Sequence, residues 1–324
     1  MRPGRWGTRA ALVLTAIAAL SACDPAPPAP PDTKPQARPD RPAPSPRKPP
    51  EAPRRSEASQ ALEQYYNRVQ ADLLSRGLLR TDGGGVDTPF TDAMLVRNFE
   101  RIALEEEYVR GAGFRPSSDR DGRVKKWTQP VRVTAEFGAS VDAPSRRRDA
   151  EKLAGYVARL ARVTGHSITM SDASPNFHVL FMGEDDMAGV KPRVKQLVPE
   201  ASDASLSIFD RLPRAIHCLV IAFSDRQGGY DYDQAIALIR AEHPDLLTQS
   251  CIHEEVAQGL GVGNDSPSAR PSIFNDDDEF ALLTTHDELL LRILYDPRLR
   301  PGMTKDEALP IAAEIAAGLT GGPS

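Results

Sequence analysis

The sequence predicts an α+β fold, and three observations carry that expectation. Apolar residues recur at three- and four-residue spacing from Ser56 (Leu62, Tyr65, Tyr66, Val69, Leu73, Leu74), which places a helix there. Val131, Val133, Ala135 and Phe137 alternate with polar neighbours, as a half-buried strand requires. The order of the remaining segments is mixed, with strands before the last helices rather than a regular βαβ alternation.

Taken in order, Gly83-Gly84-Gly85 ends the first helical stretch, and a second helix is expected from about Thr91 to Leu104. After the strand at Val131 to Phe137, a helix from Arg147 to Val163 shows an apolar stripe at Ala150, Leu153, Ala154, Val157 and Leu160. Strands are expected at Ser167 to Met170, Phe177 to Met182 and His217 to Phe223. Arg146-Arg147-Arg148 is the densest basic cluster and reads as a solvated helix start. With a net charge of -5 and no basic stripe interleaved with aromatics, nucleic acid is not an expected partner.

The N-terminus reads as an export signal. Arg2, Arg5 and Arg9 precede a short apolar run from Ala10 to Leu20, and Leu20-Ser21-Ala22-Cys23 then forms a lipobox. Residues 1–22 are expected to be cleaved, leaving Cys23 as a lipid-bearing N-terminus; diacylglyceryl and N-acyl chains together exceed the two signals that stable anchoring takes. The expected location is periplasmic and lipid-anchored, and Asp24 resembles an inner-membrane retention signal. Residues 24–55 hold 13 prolines and little that can build a core, so 23–55 are expected to be a disordered spacer. Extended, it reaches on the order of 90 Å. The folded domain is expected from residue 56 to 324.

Chemistry-bearing residues concentrate in Cys251-Ile252-His253-Glu254-Glu255-Val256-Ala257-Gln258-Gly259-Leu260-Gly261-Val262-Gly263-Asn264-Asp265. Apolar Ile252, Val256, Ala257 and Leu260 put it on a packed helix that the glycines end. Glu254 and Gln258, four apart, share a helix face, whereas His253 lies about 140° from Gln258 and is expected to be structural. In the frame of Glu254 and Gln258 the segment resembles the metzincin pattern H-E-x-x-H-x-x-G-x-x-H, with Glu255 at the general-base position, Gly261 at the turn glycine, and both helix histidines replaced. Ser272-Ile273-Phe274-Asn275 resembles the methionine turn in position, and Leu283 to Tyr295 the closing helix, from which His286 is a candidate to approach the cleft.

A wider resemblance, over roughly residues 90 to 318, is to the bacterial lipoprotein family of domain of unknown function 2927. It rests on Leu95 to Glu100, Lys126-Trp127, Arg159 to His166, Glu254-Glu255, Gln258 to Gly261, Asn264 to Ser266, Ser272 to Asp276 and Leu294 to Met303. It implies an exported protein with a zincin-like fold and no established activity.

A set of Glu254, Gln258, Asn264 and Asp265 would hold zinc poorly, since zinc prefers imidazole, thiolate and carboxylate. No cofactor is therefore expected; zinc or another divalent metal is the alternative. Two function classes stay open: a catalytically degenerate module that binds an envelope peptide, protein or glycan, and an atypical metal-dependent peptidase with Glu255 as general base. Cys218 and Cys251, an even pair once Cys23 is lipidated, are expected to form a disulfide. Asp276-Asp277-Asp278 lacks the spacing of a calcium loop and reads as a solvated acidic turn.

Overall fold

The computed structural model describes residues 55–105, 122–224, 229–275 and 277–321. The expected signal peptide, Cys23, Asp24, the proline-rich spacer and Asp276 lie outside the described residues. The helix expected from Ser56 is α1, Glu57–Ser75, begun by the Ser56 hydroxyl accepting from Ser59 N. The second is α2, Asp92–Phe99, whose last turn widens into a π-helical segment, Glu100–Leu104. β1, Val131–Phe137, leads into α3, Ala143–Thr164, capped by Asp142 at its start and by left-handed Gly165 at its end. β2, Ile168–Met170, and β3, Phe177–Met182, follow. Then come α4, Met187–Leu197, the short α5, Asp203–Leu206, and β4, Cys218–Ser224. The chain closes with β5, Tyr232–Arg240, and three helices: α6, Asp245–Gln258; α7, Thr285–Tyr295; and α8, Lys305–Thr320. The α+β class is as expected.

The five strands form one mixed sheet in the order β2-β1-β3-β5-β4, parallel except for β4, which runs antiparallel to β5 at the edge. Strand alternation splits the sheet between two cores. Phe177, Val179 and Phe181 of β3 and Ala235, Ala237 and Ile239 of β5 face the larger core, built with α2, α3, α6, α7 and α8. Leu180, Ile236 and Leu238 face the other side, covered by α4 and by Leu206 and Phe209. A third cluster joins α1 to the start of α6 through Tyr66, Leu73, Leu79, Leu247 and Ala281. No helix among the described residues is long and apolar enough to cross a membrane.

β5 is the strand that sequence patterning did not anticipate, although it lies inside the sheet between β3 and β4. Its run Ala235 to Ile239 is buried on both faces, so it shows no alternation. The basic cluster in the first turns of α3 is more than a solvated start: Arg146 donates to the carbonyls of Val141 (2.7 Å) and Gly138 (2.7 Å), while Arg148 pairs with Asp149 and Asp245.

Candidate functional site

The motif helix α6 is largely buried: Leu247, Thr248, Cys251, Ile252, His253, Glu255, Val256 and Ala257 all lie in the interior. A polar residue inside such a helix must be held by partners, and His253 is. Its ring stacks on Tyr156 with centroids 4.0 Å apart, its Nδ1 accepts from Leu283 N (3.0 Å), and Tyr156 Oη donates to its carbonyl (2.7 Å). His253 thus fastens α6 to α3 and to the segment before α7. Burial, above all, pushes its pKa down to about 3. The same cause lowers His217 and, farther, His243, on the other side of the helix.

A native imidazole that stays neutral while the unfolded one, near 6.5, takes a proton destabilises the fold as pH falls. Stability is expected to be full above pH 6.5 and to decline from there toward about pH 3, with His253 contributing a slope of at most about 1.4 kcal/mol per pH unit. Urea midpoints between pH 7 and 5 check this: the His253→Gln variant should show the shallower pH dependence, and an unchanged slope would contradict it.

The end of α6 is set by close backbone approaches. Gly259 faces the Phe177 ring, which an added Cβ would meet at 2.5 Å, and its carbonyl accepts from Trp127 Nε1 (2.8 Å). Gly261 has φ +123° and lies against the Lys125 carbonyl, which a Cβ would meet at 2.2 Å, so only glycine fits. Lys126 Nζ donates to the carbonyls of Leu294 (2.9 Å) and Asp296 (3.2 Å), and Tyr295 Oη donates to Leu260 O (2.9 Å). Burial lowers the Lys126 pKa to about 8.

The chain that leaves this turn meets the π-helical segment Glu100–Leu104. Asn264 donates its side-chain amide to Arg101 O (2.7 Å) and its backbone N–H to Ile102 O (3.1 Å). Gln258 Nε2 donates to Asp265 Oδ1 (2.9 Å). Between this loop and the π-helical turn lies a cleft of about 480 Å³, lined by Arg97, Glu100, Arg101 and Glu105 on one side, Asn264 to Ser268 on the other, and Lys305 at the start of α8. Its charges are mixed: Lys305 pairs with Glu100 and, at 4.0 Å, with Glu105, while Arg101 donates to Ser268.

Of the predicted cleft residues, Asn264 and Asp265 line this space; Glu254 and Gln258 do not. Glu254 and Glu255 lie elsewhere on α6, each with a carboxylate oxygen within 4.8 Å of the other and of Cys218 Sγ. Cys218 is joined to Cys251 in the expected disulfide, Cα atoms 5.9 Å apart, tying edge strand β4 to α6. His286 does not reach the cleft: it is fully buried on α7, with Nε2 3.1 Å from the Asn98 amide and its ring edge-on to Phe90. The neighbouring Asp287 holds the Ser272–Asn275 loop, as its carboxylate accepts from Ser272 Oγ, Ile273 N and Thr284. Asp277 accepts from Glu279 N, an ordinary turn contact.

The cleft residues that sequence reasoning passed over are Arg97, Glu100, Arg101, Glu105, Ser266 to Ser268 and Lys305. The available signal was the Arg97/Arg101 pair, four apart on a predicted helix and so on one face.

An α+β domain whose edge strand is bonded to a buried, motif-bearing helix, with a charged cleft beside that helix's exit, defines the class. The chain belongs to the DUF2927 family of proteins of unknown function, whose family model matches residues 92–314. No curated protein and no solved structure matches the chain.

Proposed function

We propose that this is a lipid-anchored envelope protein, tethered to the periplasmic face of a membrane through Cys23. In this reading its zincin-like domain binds a peptide, protein or glycan without hydrolysing it. The observation that carries it is the use made of the side chains at the ligand positions of the metzincin-like frame. Gln258 is engaged by Asp265 and Asn264 by the backbone of the π-helical turn, so both amides act as struts for the cleft wall. The mixed sheet with its antiparallel edge strand, followed by the motif helix, supports this reading. π-helical turns recur at functional sites, and this one carries Arg101 into the cleft.

The cleft's three cations and three carboxylates suit a ligand bearing both signs of charge, as peptides and peptide-bearing glycans do. The test is calorimetric titration of the detergent-solubilised chain with envelope glycan fragments carrying peptide stems and, separately, with linear peptides. Saturable binding is expected from one class, weakened about tenfold or more when Arg97→Ala and Arg101→Ala are combined. No binding by either class, or binding indifferent to both substitutions, would count against the cleft.

The second reading, an atypical metal-dependent peptidase with Glu255 as general base, draws on the proximity of Glu254, Glu255 and Cys218. With Cys218 in a disulfide, two carboxylates remain there as charged donors, a thin set for a catalytic metal.

A further inference from the structure

Two sulfurs and two carboxylates converge where α6 meets β4. Cys251 and Glu255 are one helical turn apart and share a face, and β4 brings Cys218 to that face. One oxygen each from Glu254 and Glu255 and the Cys218 sulfur lie within 4.8 Å of one another, and Cys251 Sγ is bonded to the last. While that bond holds, neither sulfur is a thiolate, so neither is a strong donor to a metal.

We propose that reduction of Cys218–Cys251 converts this cluster into a site for a thiophilic divalent cation of the zinc type, held by both thiolates and by the Glu254 and Glu255 carboxylates. The reductant is a dithiol. It gives two electrons and two protons, its own sulfurs join in a disulfide, the S–S bond of the chain breaks, and Cys218 and Cys251 become thiols. The cation then displaces the two thiol protons to solvent.

Three features support the site. Zinc bonds of about 2.0 to 2.3 Å at tetrahedral angles set donor atoms roughly 3.3 to 3.8 Å apart, and the Cys218, Glu254 and Glu255 donors, already within 4.8 Å of one another, are close to that spacing. Cys218 and Glu254 are half-buried, which leaves an entry from solvent, while Cys251 and Glu255 are enclosed. His243 Nδ1 lies 3.8 Å from Cys251 Sγ, in place to donate a hydrogen bond to the thiolate. The formal charge of such a centre equals that of a four-cysteine zinc site, and its thiolates select zinc over calcium and magnesium. The set is distinct from the metzincin-like frame, sharing only Glu254 with its ligand positions.

The experiment is a zinc chloride titration of the full chain, disulfide-bonded or reduced with a phosphine, with bound metal counted after desalting and folding followed by near-ultraviolet circular dichroism. The disulfide-bonded chain is expected to retain essentially no zinc, and the reduced chain about one ion, with two sulfur ligands at about 2.3 Å by X-ray absorption. In the reduced chain, Glu254→Gln and Glu255→Gln should each weaken zinc about tenfold or more, and Cys23→Ser should leave it unchanged. Should reduction unfold the chain, recovery of the native spectrum on adding zinc supports the site, and failure to recover it overturns the proposal. A reduced, folded chain that takes up no zinc, or uptake unaffected by Cys218→Ser, overturns it equally.

Discussion

Replacing Asp287 with alanine is expected to cost about 3 to 5 kcal/mol of folding stability, among the largest effects of any single side chain in this domain. Its carboxylate is fully buried and accepts from Ser272 Oγ at 2.5 Å, Ile273 N at 3.0 Å, Thr284 N at 3.0 Å and Thr284 Oγ1 at 2.8 Å. Truncation strands Ser272 Oγ, Ile273 N and Thr284 N away from water, while Thr284 Oγ1 keeps the Pro271 carbonyl at 3.1 Å as an acceptor; each stranded donor costs about 1 to 3 kcal/mol before relaxation. It also removes one half of the capping box that starts α7. Urea unfolding at neutral pH reads the loss. Asp287→Asn should recover part of it, because an amide oxygen still accepts. A loss under about 1 kcal/mol for the alanine variant would mean that the loop is held by other contacts.

The second large effect is expected from removing the disulfide. Cys218 and Cys251 are 33 residues apart, and releasing that closed loop in the unfolded state corresponds to about 3 to 4 kcal/mol in the chain-entropy model. The Cys218→Ala, Cys251→Ala double variant, unfolded in urea with a chelator present, should lose this amount. Its amide protons in α6 and β4 should exchange faster than those of β1 and β3, since the bond joins the edge strand to the motif helix. Equal acceleration throughout the sheet would show that the bond acts only on the unfolded chain.

Much of the fold was legible because its signals are local. β1 and β3 appear at the expected residues, since alternation and a bounded apolar run are properties of a few neighbours. The disulfide followed from counting cysteines. β5 was hidden by being apolar on both faces, and α4 and α8 each contain a proline, Pro192 and Pro310, that reads as a helix stop.

The candidate site was legible only in part, for a different reason. Spacing placed Glu254 and Gln258 on one helix face, but it does not say what each side chain meets. Gln258 meets Asp265, whereas Glu254 and Glu255 gather near Cys218, 36 and 37 positions earlier in the chain. The cleft joins Arg97, Asn264 and Lys305, whose convergence no window of sequence contains. The residues that carried the resemblance also divide in a way sequence cannot show. Lys126, Trp127, Gly259, Gly261 and Tyr295 are committed to closing the end of α6, so they serve the scaffold of the cleft rather than its chemistry.

Metal content and peptide cleavage, measured together on the disulfide-bonded chain purified without chelators, bear most directly on whether this domain binds rather than hydrolyses. Elemental mass spectrometry should find no stoichiometric transition metal, and a peptide mixture should survive incubation with the chain and with its Glu255→Gln variant alike. Near-stoichiometric zinc together with cleavage that disappears in Glu255→Gln would contradict a binding module and make the protein a metallopeptidase.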